Sequence, residues 1–403
     1  MDEGGGPPVP SDAMEATPAL NARADHGALP SAPVIPPDPA LDPASALVAT
    51  AEREPDAEQM SIARRLRQPR TIVSIAVPLV IIAVFVAING EQLQKVPGLI
   101  LGMNPLLALA AFAIFYAGFP LRGLRWAILL RGTGLRIPAK DSTEIIFLSW
   151  LVNCVVPAKL GDVYRAYLLK INSTASLSRT FGTVFIERVL DLFAIAVLGL
   201  AAGYWSFRDG LPPAIQVVFG IGVVVVALLG VGLFTMRNFG RRIITALRFL
   251  PHQVMEFYER FEQGVFGAMA VRSLPILALL TGLIWLTEGL RLYFVVQALG
   301  FSDVSLGLSG AVFVALIGSL LTAVPLSPAG LGIVEAGVVG VLTVAYGVPL
   351  PEATAIALLD RVISVFSIIV FGSVAYALSP KPRGMGRIPQ PDHVDGAPAI
   401  SAA

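Results

Sequence analysis

Absences narrow this chain before any motif does. Cysteine occurs once in 403 residues, at Cys154, so no internal disulfide forms and no cysteine metal cluster is available. Histidine occurs three times, at His26, His252 and His393, all outside the apolar segments, which excludes a histidine metal site within them. The apolar segments hold no dense acidic cluster of the kind a metal-dependent transferase needs. No nucleotide-binding motif is present, so ATP would have to come from a partner, and nothing calls for a cofactor or a nucleic acid. The first 60 residues hold no apolar run that would serve as a signal sequence. Charge is scarce as well: 14% charged against 55% hydrophobic residues, with a mean hydropathy of +0.74, leaves too little polar surface for a water-soluble globule. The composition predicts an integral membrane protein.

What is present begins with an acidic tail. Residues 1–60 carry eleven prolines, eleven acidic residues and two basic ones, the composition of a disordered segment. Apolar runs of the length a spanning helix needs, roughly 20 residues, lie at about 71–89, 105–130, 181–205, 214–236, 273–299 and 354–378. Two further stretches, about 143–170 and 307–346, are apolar but broken by Pro157 and Gly161, and by Pro328, Gly330 and Gly332. Proline breaks a helix and glycine permits a tight reversal. Irregular backbone at membrane depth is tolerated only where it is packed in protein or lines a watery cavity.

Three landmarks recur in the same order. RGLRWAILL (122–130) is matched by EGLRLYFVV (288–296), PAKLG (157–161) by PAGLG (328–332), and ERVL (187–190) by DRVI (360–363). The chain reads as a duplicated unit: a membrane repeat over 61–210, a second over 211–380 with a loop at 237–272, and a disordered tail at 381–403. In the loop, Val254, Phe257, Tyr258, Phe261 and Val265 fall at helical spacing, which predicts an amphipathic helix along the membrane surface.

Basic residues orient the halves. Arg64, Arg65, Arg67 and Arg70 precede the first span and place the N-terminus in the cytoplasm. If each broken element returns to the side it entered from, the alternate connections hold Arg131, Arg136, Lys140, Lys170 and Arg179, then six arginines in 237–272, then Lys381, Arg383 and Arg387, while the outer connections hold Lys95 and Arg208. Three net crossings per half make the repeats inverted. The expected architecture is an all-α polytopic membrane protein of two inverted repeats, with about six full spans, two Pro/Gly-broken re-entrant or hairpin elements, and both termini cytoplasmic.

Ionisable residues at depth are costly and face a partner or a pathway. An inner group is expected from Arg122, Arg125, Lys159, Asp162, Arg165, Glu187, Arg188 and Asp191, with two positive charges in surplus, and an outer group from Glu288, Arg291, Glu335, Asp360 and Arg361. An arginine surplus at headgroup depth suits a phosphate; the competing reading makes the acid–Arg neighbours internal ion pairs that lock helices together. Ser327 has no histidine within the membrane to activate it and is assigned to backbone groups near the break. The four tryptophans, Trp126, Trp150, Trp205 and Trp285, are assigned to the interface.

NCVVPAKLGDVYRAYLL (153–169), ERVLD (187–191), PLSPAGLGIVEAGVVGVL (325–342) and LLDRVIS (358–364) together resemble the flippase-like transmembrane domain of lysylphosphatidylglycerol synthases, over roughly residues 70–380. The resemblance implies a domain associated with moving an aminoacylated or otherwise modified phospholipid between leaflets. No appended soluble catalytic domain accompanies it, so the synthase activity is not carried over. The resulting expectation is a non-enzymatic inner-membrane translocase for a lipid with an anionic headgroup, whose partners are membrane lipids and a lipid-modifying enzyme. The alternative is a scaffold or accessory subunit of such an enzyme.

Overall fold

A computed structural model describes residues 87–388 apart from 88, 157–159, 208–212, 247–251, 303, 305, 323–326 and 387. The acidic tail, nearly all of the expected span at 71–89, and the residues Pro157 and Lys159 lie outside the described residues. Every regular element among the described residues is helical: α1 (Val96–Leu101), α2 (Pro105–Gly132), α3 (Ala139–Val155), α4 (Gly161–Asn172), α5 (Leu177–Ser206), α6 (Pro213–Ala246), α7 (His252–Ala268), α8 (Leu274–Leu299), α9 (Leu308–Leu321), α10 (Ile333–Tyr346), α11 (Leu350–Arg361) and α12 (Ser367–Leu378), with a π turn at Val362–Phe366 joining the last two.

The central pair is α2 and α8. The chain enters α2 through Asn104, whose Oδ1 accepts from the backbone N–H of Leu106 at 3.0 Å, with Pro105 at the first helical position, where its missing N–H costs nothing. Gly300, with φ +63, ends α8 in the left-handed conformation that closes a helix C-terminus. The Asn104 N–H donates to Ala298 O at 2.7 Å, and at the other end Gly132 faces Gly267 and Ala268, just before α8. The two helices therefore run antiparallel along their whole length.

Both broken segments fold as helical hairpins. Gly310 of α9 approaches Tyr346 of α10, and Gly318 approaches Val338 and Val334, so the two arms are antiparallel. Each of these arms has 14 residues, about 21 Å at 1.5 Å per residue, short of the roughly 30 Å hydrocarbon core. In the first hairpin Asp141 of α3 and Asn172 of α4 both bond Lys381, which puts the two outer ends together.

The hairpin mouths lie at opposite ends of the central pair. The first opens beside the C-terminus of α2. The second opens beside the C-terminus of α8, where Tyr346 OH and Ser309 Oγ each lie 3.2 Å from Ser206 Oγ at the end of α5. The first end gathers Arg131, Arg136, Lys140, Lys170, Arg272, Lys381 and Arg383, whereas Lys95 is the basic residue among the described residues of the second.

Four helical stretches among the described residues are long and apolar enough to cross a membrane: Pro105–Gly132, Val271–Leu299, Pro328–Tyr346 and Leu350–Leu378. Three coincide with expected spans at 105–130, 273–299 and 354–378. The fourth belongs to the second broken segment: α10 alone has 14 residues, and the stretch reaches 19 only by counting back through the 3-10 turn at Pro328–Gly330.

Two expectations need correction. Residues 381–386 and 388 are not a loose tail: Lys381 is buried, and the N–H of Ile388 donates to Asn172 O at 2.9 Å. The polar atoms at the base of the first hairpin hold that segment in place. The tryptophans, moreover, are not mainly interfacial. Trp126 is fully buried and donates from Nε1 to Thr183 Oγ1, and only Trp205 is largely exposed.

The expected amphipathic helix is α7, packed on α5 where Gly264 meets Gly182. Val265 is buried against the core, while Val254 and Phe257 face outward.

Candidate functional site

Described residues on both arms of each hairpin, close to the break, line one cavity of about 300 Å³. From the first hairpin Asn153, Cys154 and Asp162 line it; from the second come Thr322, Ser327, Ala329 and Gly330. Helices α2, α5, α8 and α11 supply much of the remaining wall, and with it nine of the thirteen ionisable residues that the sequence singled out; Arg165 and Glu335 do not line it.

The breaks differ in how they use glycine. In the second hairpin Gly330 and Gly332 take φ +71 and +83, and Ala329 takes φ +52, so the backbone passes through the left-handed region where side chains other than glycine are strained. Ser327 Oγ donates to Leu331 O at 2.8 Å across this turn, as its expected role requires. Gly161 is different: it opens α4 with an ordinary helical backbone, and its N–H donates to Asn153 Oδ1 at 2.8 Å. A side chain there would run into Ser149 O and the Asn153 amide, so what the site demands of Gly161 is close approach of backbone rather than a reversal.

Arg125 is the hub of the first-half charges. Its Nη1 donates to Asp191 Oδ1 at 2.6 Å and to Thr281 Oγ1 at 3.1 Å, and its Nη2 lies 3.2 Å from Glu187 Oε1. Arg165 donates from Nη1 to both oxygens of Glu187 at 3.1 Å, and its guanidinium lies 4.9 Å from the centre of the Trp126 ring. Arg188 reaches Asp162, Glu187 and Asp191 at 3.3–3.4 Å, with a side chain still 45% exposed. Trp285 Nε1 donates to Asp191 Oδ1 at 3.1 Å.

The second-half charges repeat this wiring. Arg291 donates from Nε to Asp360 Oδ1 at 2.8 Å and pairs through Nη1 with Glu288; its guanidinium lies 5.3 Å from the centre of the Phe115 ring. Arg361 Nε lies 2.8 Å from Glu335 Oε1, while Glu335 Oε2 accepts from the N–H of Gly332 at 2.6 Å, fixing the start of α10.

Three contacts thus occur once in each half. The arginine of Gly-Leu-Arg pairs with the acid of the acid–Arg motif: Arg125 with Glu187, Arg291 with Asp360. The arginine of the acid–Arg motif pairs with an acid in the first turn of the hairpin's second helix: Arg188 with Asp162, Arg361 with Glu335. The glycine of Gly-Leu-Arg admits the hairpin's first helix: a Cβ on Gly123 would lie 2.8 Å from Thr143 Cα, and one on Gly289 would lie 3.0 Å from Val312 Cα.

The two groups are not separate clusters at opposite ends, as the sequence suggested. Arg122 Nη2 donates to Glu288 Oε1 at 2.5 Å and joins them into one chain of ion pairs running along the central helices. The antiparallel register of α2 against α8, which no pattern within one helix carries, sets Arg122 opposite Glu288. The pairing also removes one charge from the expected inner surplus. Among the described residues six arginines (122, 125, 165, 188, 291 and 361) face six carboxylates (162, 187, 191, 288, 335 and 360), and all twelve take part in ion pairs.

Balance in charge is not saturation in hydrogen bonding. Arg122 Nη1, Arg361 Nη2 and Ser364 Oγ are buried without a hydrogen-bond partner, and all three residues line the cavity. A buried donor without a partner is costly, so these atoms favour an oxygen-bearing occupant. Trp150, 4.8 Å from the Arg122 guanidinium, and Trp285 belong to this wall and were missed by the sequence reading; their positions well inside apolar helices were the available signal. No group of three or more metal-ligating side chains exists among the described residues.

Set beside known proteins, residues 72–372 match the lysylphosphatidylglycerol synthase TM region family, and the chain belongs to that family. Similar proteins include the UPF0104 membrane protein MJ1078 of Methanocaldococcus jannaschii, 38% identical over 56% of this chain and 92% of that one, and a UPF0104 membrane protein of Methanothermobacter thermautotrophicus, 27% identical over 68% of this chain and 85% of that one. Glycosyltransferase AglD of Haloferax volcanii is 29% identical over 68% of this chain, and the match spans 49% of AglD. The chain is thus a polytopic membrane protein.

Proposed function

We propose that this protein is a lipid translocase rather than an enzyme, that it handles an amphiphile with an anionic headgroup, and that two inverted repeats give the headgroup alternating access to the cavity from the two leaflets. The observation that carries the reading is the meeting of two oppositely entering hairpins on one cavity lined with arginines, where Arg122 Nη1, Arg125 Nε, Arg361 Nη2 and Ser364 Oγ are buried without partners. Broken elements at corresponding places of inverted halves mark the substrate site in many transporters, and the doubled contact pattern supports such halves. A cavity of about 300 Å³ sits at the small end of ligand pockets. It accommodates a headgroup and leaves acyl chains in the bilayer. The basic end of the molecule faces the cytoplasm of an inner membrane in this reading.

Reconstitution tests the proposal. Vesicles carrying the purified protein and a fluorescent anionic phospholipid, compared with a zwitterionic one, should expose inner-leaflet probe to an external quencher faster than empty vesicles, and faster for the anionic lipid. Arg125→Ala and Arg291→Ala should both abolish the gain while remaining inserted. A second reading, an accessory module of a lipid-modifying enzyme, is favoured by the match to half of a protein named a glycosyltransferase. It gains the upper hand if wild-type vesicles move no probe and both variants leave the cellular phenotype unchanged.

A further inference from the structure

The two halves differ at one place inside a closely matched motif. ERVLD (187–191) and DRVIS (360–364) align residue for residue, and the last position is Asp191 in one half and Ser364 in the other. In the first half that carboxylate is a shared acceptor. Arg188 Nη1 donates to Asp191 Oδ2 at 3.3 Å, Arg125 donates to the same carboxylate through Nη1 at 2.6 Å and Nη2 at 3.3 Å, and Trp285 Nε1 does so at 3.1 Å.

In the second half a hydroxyl stands where the carboxylate would be, and the donors that would meet a carboxylate are unused. Arg361 and Ser364 are 7% and 9% exposed and both line the cavity, yet Arg361 Nη2 and Ser364 Oγ have no hydrogen-bond partner. Arg361 spends its Nε on Glu335 of the second hairpin, which leaves Nη2 free. Other hydroxyls inside the helices, those of Thr183, Thr281 and Ser319 among them, donate to a carbonyl three or four residues back, and Ser364 does not. Ser364 also lies in the π turn Val362–Phe366, whereas Asp191 lies in the uninterrupted α-helix of α5. Single π turns within helices are frequent at functional sites.

An oxyanion brought by a ligand would find at Arg361 and Ser364 the donors that Asp191 finds in its own half. The charge balance of the network limits that ligand to a small negative charge, because six arginines already face six carboxylates. Two donors call for two acceptor oxygens. A phosphodiester has both features, one negative charge spread over two free oxygens, whereas a phosphomonoester brings about 1.5 to 2 charges at pH 7. We propose that Arg361 and Ser364 form the phosphate subsite of the cavity and hold the singly charged phosphodiester of a membrane lipid in the place that Asp191 fills in the first half. This rests on the translocase reading and deepens it, but it concerns binding and is measured without movement of lipid.

The test uses the purified full chain in phosphate-free maltoside micelles, with the unfolding midpoint followed by tryptophan fluorescence. Dioleoyl phosphatidylglycerol is titrated in, and dioleoylglycerol, oleate and inorganic phosphate are titrated separately. Phosphatidylglycerol should raise the midpoint well above what the other three achieve. Ser364→Ala removes a hydroxyl that has no partner, so it should leave the lipid-free midpoint unchanged and weaken phosphatidylglycerol about tenfold, the loss of one charged hydrogen bond. Ser364→Asp supplies the first half's carboxylate. It should unfold at a higher temperature than Ser364→Ala without lipid, by pairing with Arg361, and lose its response to phosphatidylglycerol. A wild-type response in either variant overturns the proposal, and so does a lipid-free Ser364→Asp protein less stable than Ser364→Ala. Dioleoylglycerol or oleate acting as strongly as phosphatidylglycerol, or inorganic phosphate acting where the lipid does not, overturns the phosphodiester assignment. If the variants behave as expected while wild-type vesicles move no lipid, the subsite stands and the transport reading falls. If vesicles move lipid and both variants bind like wild type, transport stands and the subsite falls.

Discussion

Substituting Glu288 should destabilise the protein more than substituting Arg122, although the two form one ion pair. Glu288 serves two guanidiniums, Arg122 and Arg291, whereas Glu288 is the acidic partner of Arg122 among the described residues. Arg122→Met leaves Glu288 compensated by Arg291, and Arg291 still holds Asp360 at 2.8 Å. The loss is then that of one charged hydrogen bond, about 1.5–3 kcal/mol, softened by an apolar side chain that fits against Phe119 and Trp150. Glu288→Gln leaves the Arg122 guanidinium buried without a carboxylate, and removing one partner of a buried pair costs about 3–5 kcal/mol. The double variant should cost less than the sum of the two, because once Glu288 is gone the removal of Arg122 relieves a stranded charge. Thermal unfolding in nanodiscs, followed by tryptophan fluorescence, measures all three. Equal losses, or a larger loss for Arg122→Met, would refute the partner-count reasoning and with it the assignment of Glu288 as the shared centre of the network.

The same logic separates two arginines of the first half. Arg188→Gln should lower thermal stability by less than Arg125→Gln, since Arg188 is 45% exposed and holds its carboxylates at 3.3–3.4 Å, whereas Arg125 is buried with a 2.6 Å contact. Gly289→Ala should cost about 1–3 kcal/mol by overpacking against Val312, whereas Gly340→Ala, in a helix with open space around the added methyl, should gain about 0.5–1 kcal/mol; unfolding midpoints of the two variants decide it. Lys381 contributes stability that is fully present below its unfolded pKa and lost as pH rises through the raised folded value. The deficit of Lys381→Met against wild type should therefore stay constant from about pH 7 to 9 and shrink only in stronger alkali; a deficit that closes within that range would show the lysine to be unpaired. Glu91→Cys, on the Cys154→Ala background, should react in intact cells with a membrane-impermeant thiol reagent while Arg272→Cys should not, and labelling of position 272 alone would reverse the orientation.

How much of this was legible in the sequence depends on which interactions are local. The hairpins were, because Pro328, Gly330 and Gly332 announce a break within a few residues, and two of those glycines do take positive φ. The acid–Arg and Gly-Leu-Arg motifs were, because each sits on one helix. What lay beyond reach was register between helices distant in sequence. Gly123 reads as a helical glycine until Thr143 is seen against it, Trp285 reads as an anchor until Asp191 is found 3.1 Å away, and Lys381 reads as one more loop charge until it is found buried between Asp141 and Glu144.

One sequence feature did carry long-range information, and it lies in a mismatch. RGLR and EGLR agree at three positions and differ at the first, where Arg122 stands in one half and Glu288 in the other. In the proposed inverted arrangement, matching positions near the axis between the halves must lie beside each other, so a residue there meets its own counterpart. Identical charges at such a position would repel across a few ångströms of low-dielectric interior, where Coulomb terms are largest. A duplicated unit can keep an ion at that place only by changing its sign in one copy. The pair at 2.5 Å is the outcome, whereas Arg125 and Arg291, further from the axis, keep the same charge and find their acids within their own halves. A reversal of charge at one position of an otherwise matching motif thus identifies the residues closest to the axis. It also explains why counting charges in each half separately overstates the first-half surplus, since the Arg122–Glu288 pair cancels one charge across the halves.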